Sequence, residues 1–253
     1  MPSFDWKISG VSDQGKKRQS NEDAIGWQTD RKRGWLCAVI ADGMGGHAAG
    51  EVASDMARTQ FLDLVEELFT SPASSYPSEI TMRKALSEYV LHVDQQIKAH
   101  AKSHPEDEGL GTTLVAIVLF DSQCWLVNIG DSRCYRLRGD NFKQLTRDDT
   151  LVQSWIDNGQ ITYEKAEQSP YRNVLTQALG AKESLSPQIL SIDVNSQDKF
   201  ILCSDGLSNC MSDAFMSDVL ARNPIDNATQ QLLDEALSVG APDNVSLIVV
   251  AKE

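Results

Sequence analysis

The 253-residue sequence has no long apolar run, no paired-cysteine pattern and no excess of positive charge. Its longest unbroken apolar stretches, Trp35 to Ala41 and Leu114 to Phe120, are seven residues each. Crossing a bilayer takes about 20 apolar residues, so no transmembrane helix is expected. The opening MPSFDWKISG lacks a basic-then-apolar signal pattern, and a cytoplasmic, membrane-free protein is expected. The five cysteines (Cys37, Cys124, Cys134, Cys203 and Cys210) are odd in number and form no Cys-x-x-Cys pair. Four lie in apolar, strand-like runs. Buried reduced thiols fit this better than a disulfide frame or a zinc site. With 36 acidic against 23 basic residues, the net charge is −13. Nonspecific nucleic-acid binding needs a basic face, so nucleic acid is not the expected partner. No internal repeat or low-complexity tract breaks the chain, and its length suits one large domain or two small ones.

What is present centres on VIADGMGGHAAGE, Val39 to Glu51. The apolar run Trp35–Ala41 predicts a buried strand. It ends in Asp42 and Gly43, followed by Gly45, Gly46, His47 and a helix-patterned stretch. A carboxylate beside conformationally free backbone suits a hard cation. The competing reading is a tight turn, because Asp-Gly between apolar runs is a common hairpin signal.

Lys7–Ser12 and Asp23–Trp27 are strand candidates, with the polar loop GKKRQSNE between them. Val52, Ala53, Met56, Ala57, Phe61, Leu64, Val65 and Leu68 recur at steps that predict a helix, and Met82, Leu86, Val90, Val93 and Ile97 predict a second. Thr112–Phe120, Gln123–Ile129, Arg133–Arg138 and Phe142–Leu145 predict strands separated by turn signals. Thr150 to Gly180 is mostly polar with short helical patterns, and looks like an insertion packed on the domain. Gln188–Val194, Phe200–Ser204 and Val245–Ala251 return to strand character, while Met211–Leu220 and Ala228–Val239 predict helices. About ten strands, mainly in hairpin order, favour antiparallel sheets, and the amphipathic helices must cover apolar sheet faces. The expected fold is α+β, two antiparallel sheets packed together with helices outside.

Asp42, Asp205 and Asp243 share one context, each at the edge of an apolar strand beside a turn, and Asp131 and Glu22 add two more acids at strand edges. Carboxylates at such places are costly to desolvate without a partner. Several on one site would repel unless cations sat between them. Mg2+ or Mn2+ held by carboxylates, a backbone carbonyl and waters meets this need. Two such ions about 4 Å apart can acidify a water for in-line attack on phosphorus. Taken singly, each acid is equally well a turn or surface residue, and sequence spacing does not show that they meet.

The ordered stretches SDQGKKRQSNEDA, AVIADGMGGHAAGEVAS, GTTLVAIVLF, NIGDSRCYRL, RNVLTQALG, ILCSDGLSN and APDNVSLIVV span Ser12 to Val250. This set resembles the bacterial form of the PPM (type 2C) metal-dependent protein serine/threonine phosphatases. The resemblance implies one catalytic domain over 1–253, a four-layer α-β-β-α sandwich with a small flap insertion at about 150–180. It implies hydrolysis of phosphoserine and phosphothreonine in proteins by direct attack of a metal-activated water. It implies that Asp42 bridges two Mn2+ or Mg2+ ions, with Asp205 and Asp243 on one and Glu22 and the Gly43 carbonyl on the other. Asp131, with Asp205, matches a weaker third ion site. Arg18, four residues before Glu22, matches the arginine that binds substrate phosphate, which a guanidinium fork suits.

The departures fall around the site. Met44 stands where some relatives carry a histidine proposed as general acid. His47, three residues on, is the candidate to protonate the leaving group; a helix-start or surface histidine is the competing reading, and a metal-bound water is the other proton source. Asp149-Thr150 stands where relatives often have His-Ser, and Gln177 where they often have Arg, which puts substrate recognition in question. A monomer acting on phosphoproteins of a cognate serine/threonine kinase is expected. The rival readings are a regulatory phosphatase with one dedicated substrate, a binding module without turnover, and a two-metal nuclease. The complete acid set disfavours the second and the acidic balance the third.

Overall fold

The computed structural model describes residues 5–45, 49–71, 78–107, 109–181 and 184–252. In chain order come β1 (Trp6–Asp13), β2 (Asp23–Asp30), β3 (Trp35–Met44), α1 (Ala49–Thr70) and α2 (Glu79–Ser103). Strands β4 (Gly111–Thr112), β5 (Leu114–Phe120), β6 (Gln123–Ile129), β7 (Arg133–Arg138) and β8 (Asn141–Gln144) follow. Then come α3 (Leu151–Asp157), α4 (Tyr163–Glu167), β9 (Gln188–Asp193), β10 (Asp198–Cys203), α5 (Asp205–Ser208), α6 (Asp213–Arg222), α7 (Ile225–Ser238) and β11 (Val245–Lys252).

Two antiparallel sheets carry the fold, with strand orders β1-β11-β10-β7-β8 and β2-β3-β5-β6-β9. The sequence reading of two sheets holds, but its hairpin order holds only in part. Hairpins join β2 to β3, β5 to β6 and β7 to β8, whereas β1 pairs with β11, so the two ends of the chain lie side by side. Nothing local in the sequence specifies that pairing, because its partners are more than 200 residues apart.

Side-chain alternation along each strand explains the layers. In β3, Leu36, Ala38 and Ile40 face the second sheet, joining Val115, Ile117, Phe200, Leu202, Ile248 and Val250 in the core between the sheets. The intervening Trp35, Cys37, Val39 and Ala41 face α1 and α2. Both faces are covered, so β3 and β5 read as unbroken apolar runs rather than alternating ones. On α2, Met82, Leu86, Val90, Val93 and Ile97 recur every three or four residues and are fully buried against the sheet. The Ser78 hydroxyl caps this helix by accepting from the Thr81 amide. On the far side, α6 and α7 bury Met216, Leu220, Ala228, Leu232 and Ala236 against the outward side chains of β10 and β11. The result is helix, sheet, sheet, helix. No described helix is long and apolar enough to cross a membrane. Cys37, Cys124, Cys134 and Cys203 are buried free thiols and Cys210 is half-buried.

Two boundaries at the acids Asp42 and Asp205 differ from the sequence reading. Strand β3 runs on through Asp42 and Gly43 to Met44, exchanging its β5 partner for β4 after Ile40. Asp205 does not simply end a strand: it opens α5, with Ser204 at the N-cap position. The segment between β8 and β9 carries the two short helices expected of it. Its ends are tied down by the bridge Thr150↔Leu175, the bridge Thr112↔Leu179 and a bond from the Gly180 amide to Asp94 Oδ1 at 2.9 Å.

Phe200 is wholly buried between the sheets, its ring 6.4 Å from that of Trp6. Phe200→Ala should cost about 3–5 kcal/mol, the usual range for emptying an aromatic core position. Urea denaturation checks this, and a cost below about 1 kcal/mol would mean that the sheets do not depend on this contact.

Candidate active site

Antiparallel topology places the site. Strands β3, β6 and β10 end, and β2, β7 and β11 begin, at one end of the sandwich. The acids at those strand edges therefore converge although they span most of the chain. Arg18, Glu22, Asp42, Gly43, Asp131, Asp205 and Asp243 all line one cavity of about 380 Å³. Every site residue expected from the sequence is there except His47, which lies outside the described residues.

Backbone contacts hold each acid. The Asp42 amide donates to Thr113 Oγ1 at 3.0 Å, and the Asp42 carbonyl accepts from the Thr113 amide and the Thr112 hydroxyl, each at 2.9 Å. The Gly43 amide donates to the Glu22 carbonyl at 3.0 Å. A Cβ at Gly43 would lie 2.1 Å from the Gly50 carbonyl oxygen, so only glycine lets the start of α1 close on the Glu22 loop. Asp131 follows Gly130, whose φ of +97° belongs to the region that favours glycine. Asp243 bonds the Arg18 guanidinium at 2.7 Å, and the same guanidinium lies 3.8 Å from Glu22 Oε2.

The electrostatics follow from burial and like charge. Burial, then Asp23, Asp205, Asp131 and Asp243, holds the Asp42 carboxyl well above the usual range. Burial, then Asp205 and Asp148, pushes Asp131 up to about 8. Burial and Asp243 push Asp205 up to about 6, against the pull of Arg133 and Arg18. The Arg18 guanidinium, hydrogen-bonded to Asp243, is held more firmly charged than usual.

One participant escaped the sequence reading. Asp23 stands directly opposite Asp42 in the β2–β3 register. Its Oδ2 accepts from the Ser204 hydroxyl at 2.8 Å, while its Oδ1 is buried with no hydrogen-bond partner. Burial pushes it up to about 6, against the lowering effect of Ser246 and Ser204. The signal was its place beside Glu22 on a strand that faces Asp42.

The two departures at Asp149 and Gln177 meet each other. Asp149 Oδ2 accepts from the Gly130 amide at 3.1 Å, the Asp149 amide donates to the Gly130 carbonyl at 2.9 Å, and the Gln177 side chain lies beside the same carboxylate. Neither residue lines the acid cavity or the adjoining cleft. Asp149 braces the turn that presents Asp131.

Beside the acid cavity, and sharing Asp131, Asp205 and Asp243 with it, runs a cleft of about 750 Å³. One wall is the inserted segment, with Val152, Ile156 and Arg172; the other is the stretch after α5, with Cys210 and Met211.

The donor set suits a divalent metal. Glu22, Asp42, Asp131, Asp205 and Asp243 offer only carboxylate oxygens to the cavity, and burial penalises the charge on Asp42, Asp131 and Asp205. Among the described residues, no group of three or more His, Cys, Asp or Glu side chains is arranged to hold a metal ion by itself. The oxygen-only donor chemistry is the kind that Mg2+ or Mn2+ takes, with waters completing the coordination. An all-oxygen acid cage with a guanidinium on its rim, at one end of an α-β-β-α sandwich, defines the class: metal-dependent phosphoester hydrolases.

Comparison with known proteins makes this specific. Residues 13–238 match the family model for Protein phosphatase 2C, and the chain belongs to that family. It is 34% identical over 242 residues to the serine/threonine phosphatase stp of Listeria welshimeri, covering 95% of this chain and 94% of that protein. It is 37% identical over 243 residues to the serine/threonine protein phosphatase PstP of Mycobacterium tuberculosis, covering 96% of this chain and 44% of that longer protein. A crystal structure of the catalytic domain of PstP in complex with two manganese ions has a TM-score of 0.81 to this chain at 34% identity, over 97% of each.

The raised carboxyls give a signed pH dependence. Asp131 and Asp205 bind more protons in the folded than in the unfolded chain between pH about 4 and their folded values of about 8 and 6. Metal-free stability from these groups is therefore greatest below pH 4 and is lost as pH rises through those values. In chelator at pH 8, Asp131→Asn should raise Tm by about 2–4 °C, the equivalent of roughly 1 kcal/mol for a chain of this size. The gain should vanish at pH 4. Calorimetry at both pH values checks it, and a gain equal at both would rule out the electrostatic cause.

Proposed function

We propose that this chain is a metal-dependent protein phosphatase that hydrolyses phosphoserine and phosphothreonine in proteins by direct attack of an activated water. The observation that carries the reading is the convergence of Glu22, Asp42, Asp131, Asp205 and Asp243 around a space reached by Arg18. Family membership and the two manganese ions of the PstP catalytic domain support it.

Manganese or magnesium in this cage supplies Lewis acidity, lowering the pKa of a water and offsetting the charge on phosphate. In the assignment proposed, Asp42 would be shared by two ions, with Asp205 and Asp243 holding one and Glu22 and the Gly43 carbonyl the other. Asp131, with Asp205, would hold a weaker third. Arg18 leaves Asp243 to grip two phosphate oxygens, and its exposed position on the cavity rim permits that movement. The acids orient the water in line with the scissile P–O bond, and the enzyme forms no covalent phosphate intermediate. His47 stays the candidate for protonating the leaving group.

The cleft takes the protein segment that flanks the phosphorylated residue. Its continuity with the acid cavity supports this, as do the exposed Arg172 and the apolar Val152, Ile156 and Met211 along it. The region 150–180 is then a flap inserted in a single catalytic domain, 1–253. The chain acts as a monomer in the cytoplasm, on proteins phosphorylated by a cognate serine/threonine kinase.

The test is phosphate release from a phosphothreonine peptide with and without Mn2+. Asp42→Asn should lower kcat by at least about 100-fold, in keeping with loss of a shared metal ligand. Wild-type turnover in this variant would sink the assignment. Arg18→Ala should mainly raise KM, since the guanidinium binds phosphate in the ground state as well as the transition state. Unchanged kcat and KM would reduce Arg18 to a surface residue. Arg172→Ala should lower kcat/KM on a phosphoprotein several-fold and leave a small aryl phosphate untouched. Equal losses on both substrates would remove the cleft from recognition.

A further inference from the structure

Arg18 and Glu22 sit on a loop, 14–22, that belongs to neither sheet. Such a loop has no ladder of hydrogen bonds to fix it, yet two of the proposed functional groups depend on its position. Its fixation comes from the opposite end of the sequence. The Asn244 side chain is almost fully buried, 4% exposed. Its Nδ2 donates to the carbonyls of Gln14 and Ser20, each at 2.8 Å, and its Oδ1 accepts from the Glu22 amide at 2.9 Å. Both amide hydrogens and the carbonyl oxygen are thus engaged, all with backbone of this one loop. The two accepting carbonyls lie on either side of Arg18, and the donated amide belongs to Glu22 itself. Asn244 directly follows Asp243, the carboxylate that Arg18 contacts.

The remaining contacts tighten the same joint. The Lys16 amide donates to the Ala241 carbonyl at 2.9 Å. Gly15, at φ +73°, comes so close to the Asp243 carbonyl that a Cβ there would lie 2.1 Å from its oxygen. Gln14 Nε2 closes the loop on itself through the Arg18 carbonyl at 2.7 Å. The β1–β11 pairing ends at Asp13↔Val245, so the loop and the Asn244 segment leave one ladder together.

We propose that Asn244 is a positioning residue for phosphate and metal binding: it sets Arg18 and Glu22 at a fixed distance from Asp243. The proposal rests on the roles given to those residues above. Its side chain is uniquely suited, since holding the loop takes two donors and one acceptor in a plane, which aspartate, serine and alanine lack. A residue that orients a metal ligand without touching the metal typically changes affinity or activity 10–100-fold when lost.

The experiment uses the full chain, with calorimetric titration of Mn2+, steady-state hydrolysis of a small aryl phosphate and thermal melting. Asn244→Ala should weaken one of the tight Mn2+ sites about 10-fold and raise KM about 10-fold, with a smaller loss in kcat at saturating Mn2+. Asn244→Asp keeps the acceptor for the Glu22 amide and loses both donors, so KM should rise while Mn2+ affinity stays within about threefold of wild type. Leu232→Ala, in the α7 core, provides a variant of lowered Tm remote from the loop. It should leave KM and Mn2+ affinity unchanged. If Asn244→Ala behaves like Leu232→Ala, or if Leu232→Ala moves KM and affinity as far, Asn244 is only a fold residue and the inference fails. Should Asn244→Ala not fold, an unchanged KM in Asn244→Asp overturns it equally. A wild-type chain that neither binds Mn2+ nor hydrolyses the ester refutes the phosphatase reading instead, and is distinguishable from all of these.

Discussion

Six carboxylates crowd one end of this sandwich, and their mutual repulsion is the constraint on which the rest of the structure depends. In water such groups would separate. Here burial and like charge raise Asp42, Asp131, Asp205 and Asp23 above the ordinary carboxylate range. Each is attached to backbone that cannot yield. Asp42 is pinned by Thr112 and Thr113, Asp131 by the Gly130 turn and Asp149, and Asp243 lies at the mouth of β11. The energy that holds them together comes from the apolar layers behind, where Phe200, Ile117 and Val250 close the two sheets on each other. The charged end rests on a core that supplies the stability.

That arrangement needs both ends of the chain. β1 and β11 pair along their whole length, and the loop after β1 is bolted to the segment before β11. The site is therefore completed only when the last strand has docked. Close backbone approaches reinforce the joint: Gly43 against Gly50 and Gly206 against Asn244 leave no room for a side chain. These glycines act through space denied to a Cβ, and neither has an unusual φ.

The flap region is attached differently. It is anchored at its base, through Asp94 to Gly180 and through the Leu179 and Leu175 bridges, while Tyr163, Tyr171 and Val174 stay exposed. The contact between Asp149 and Gln177 lies at that base. Asp149 in turn bonds the Gly130 backbone, next to Asp131.

Much of this was legible in the sequence because it is written locally. Apolar runs marked β3, β5 and β6, spacing at three and four marked α1 and α2, and acids beside glycine at strand edges marked Asp42 and Asp205. The ordered motifs located Arg18, Glu22, Asp131 and Asp243. What the sequence by itself determined was therefore the elements, the layer chemistry and the residue types of the site. Only the tertiary structure decided that β1 lies against β11, that β3 runs past Asp42 to pair with β4, that Asp23 faces Asp42, and that Asn244 holds the Arg18 loop. Each of these is a contact between segments whose separation leaves no periodic trace. Local propensity and hydrophobic pattern fix which way a side chain points along its own element. Which distant backbone group meets it is settled by the packing of whole sheets.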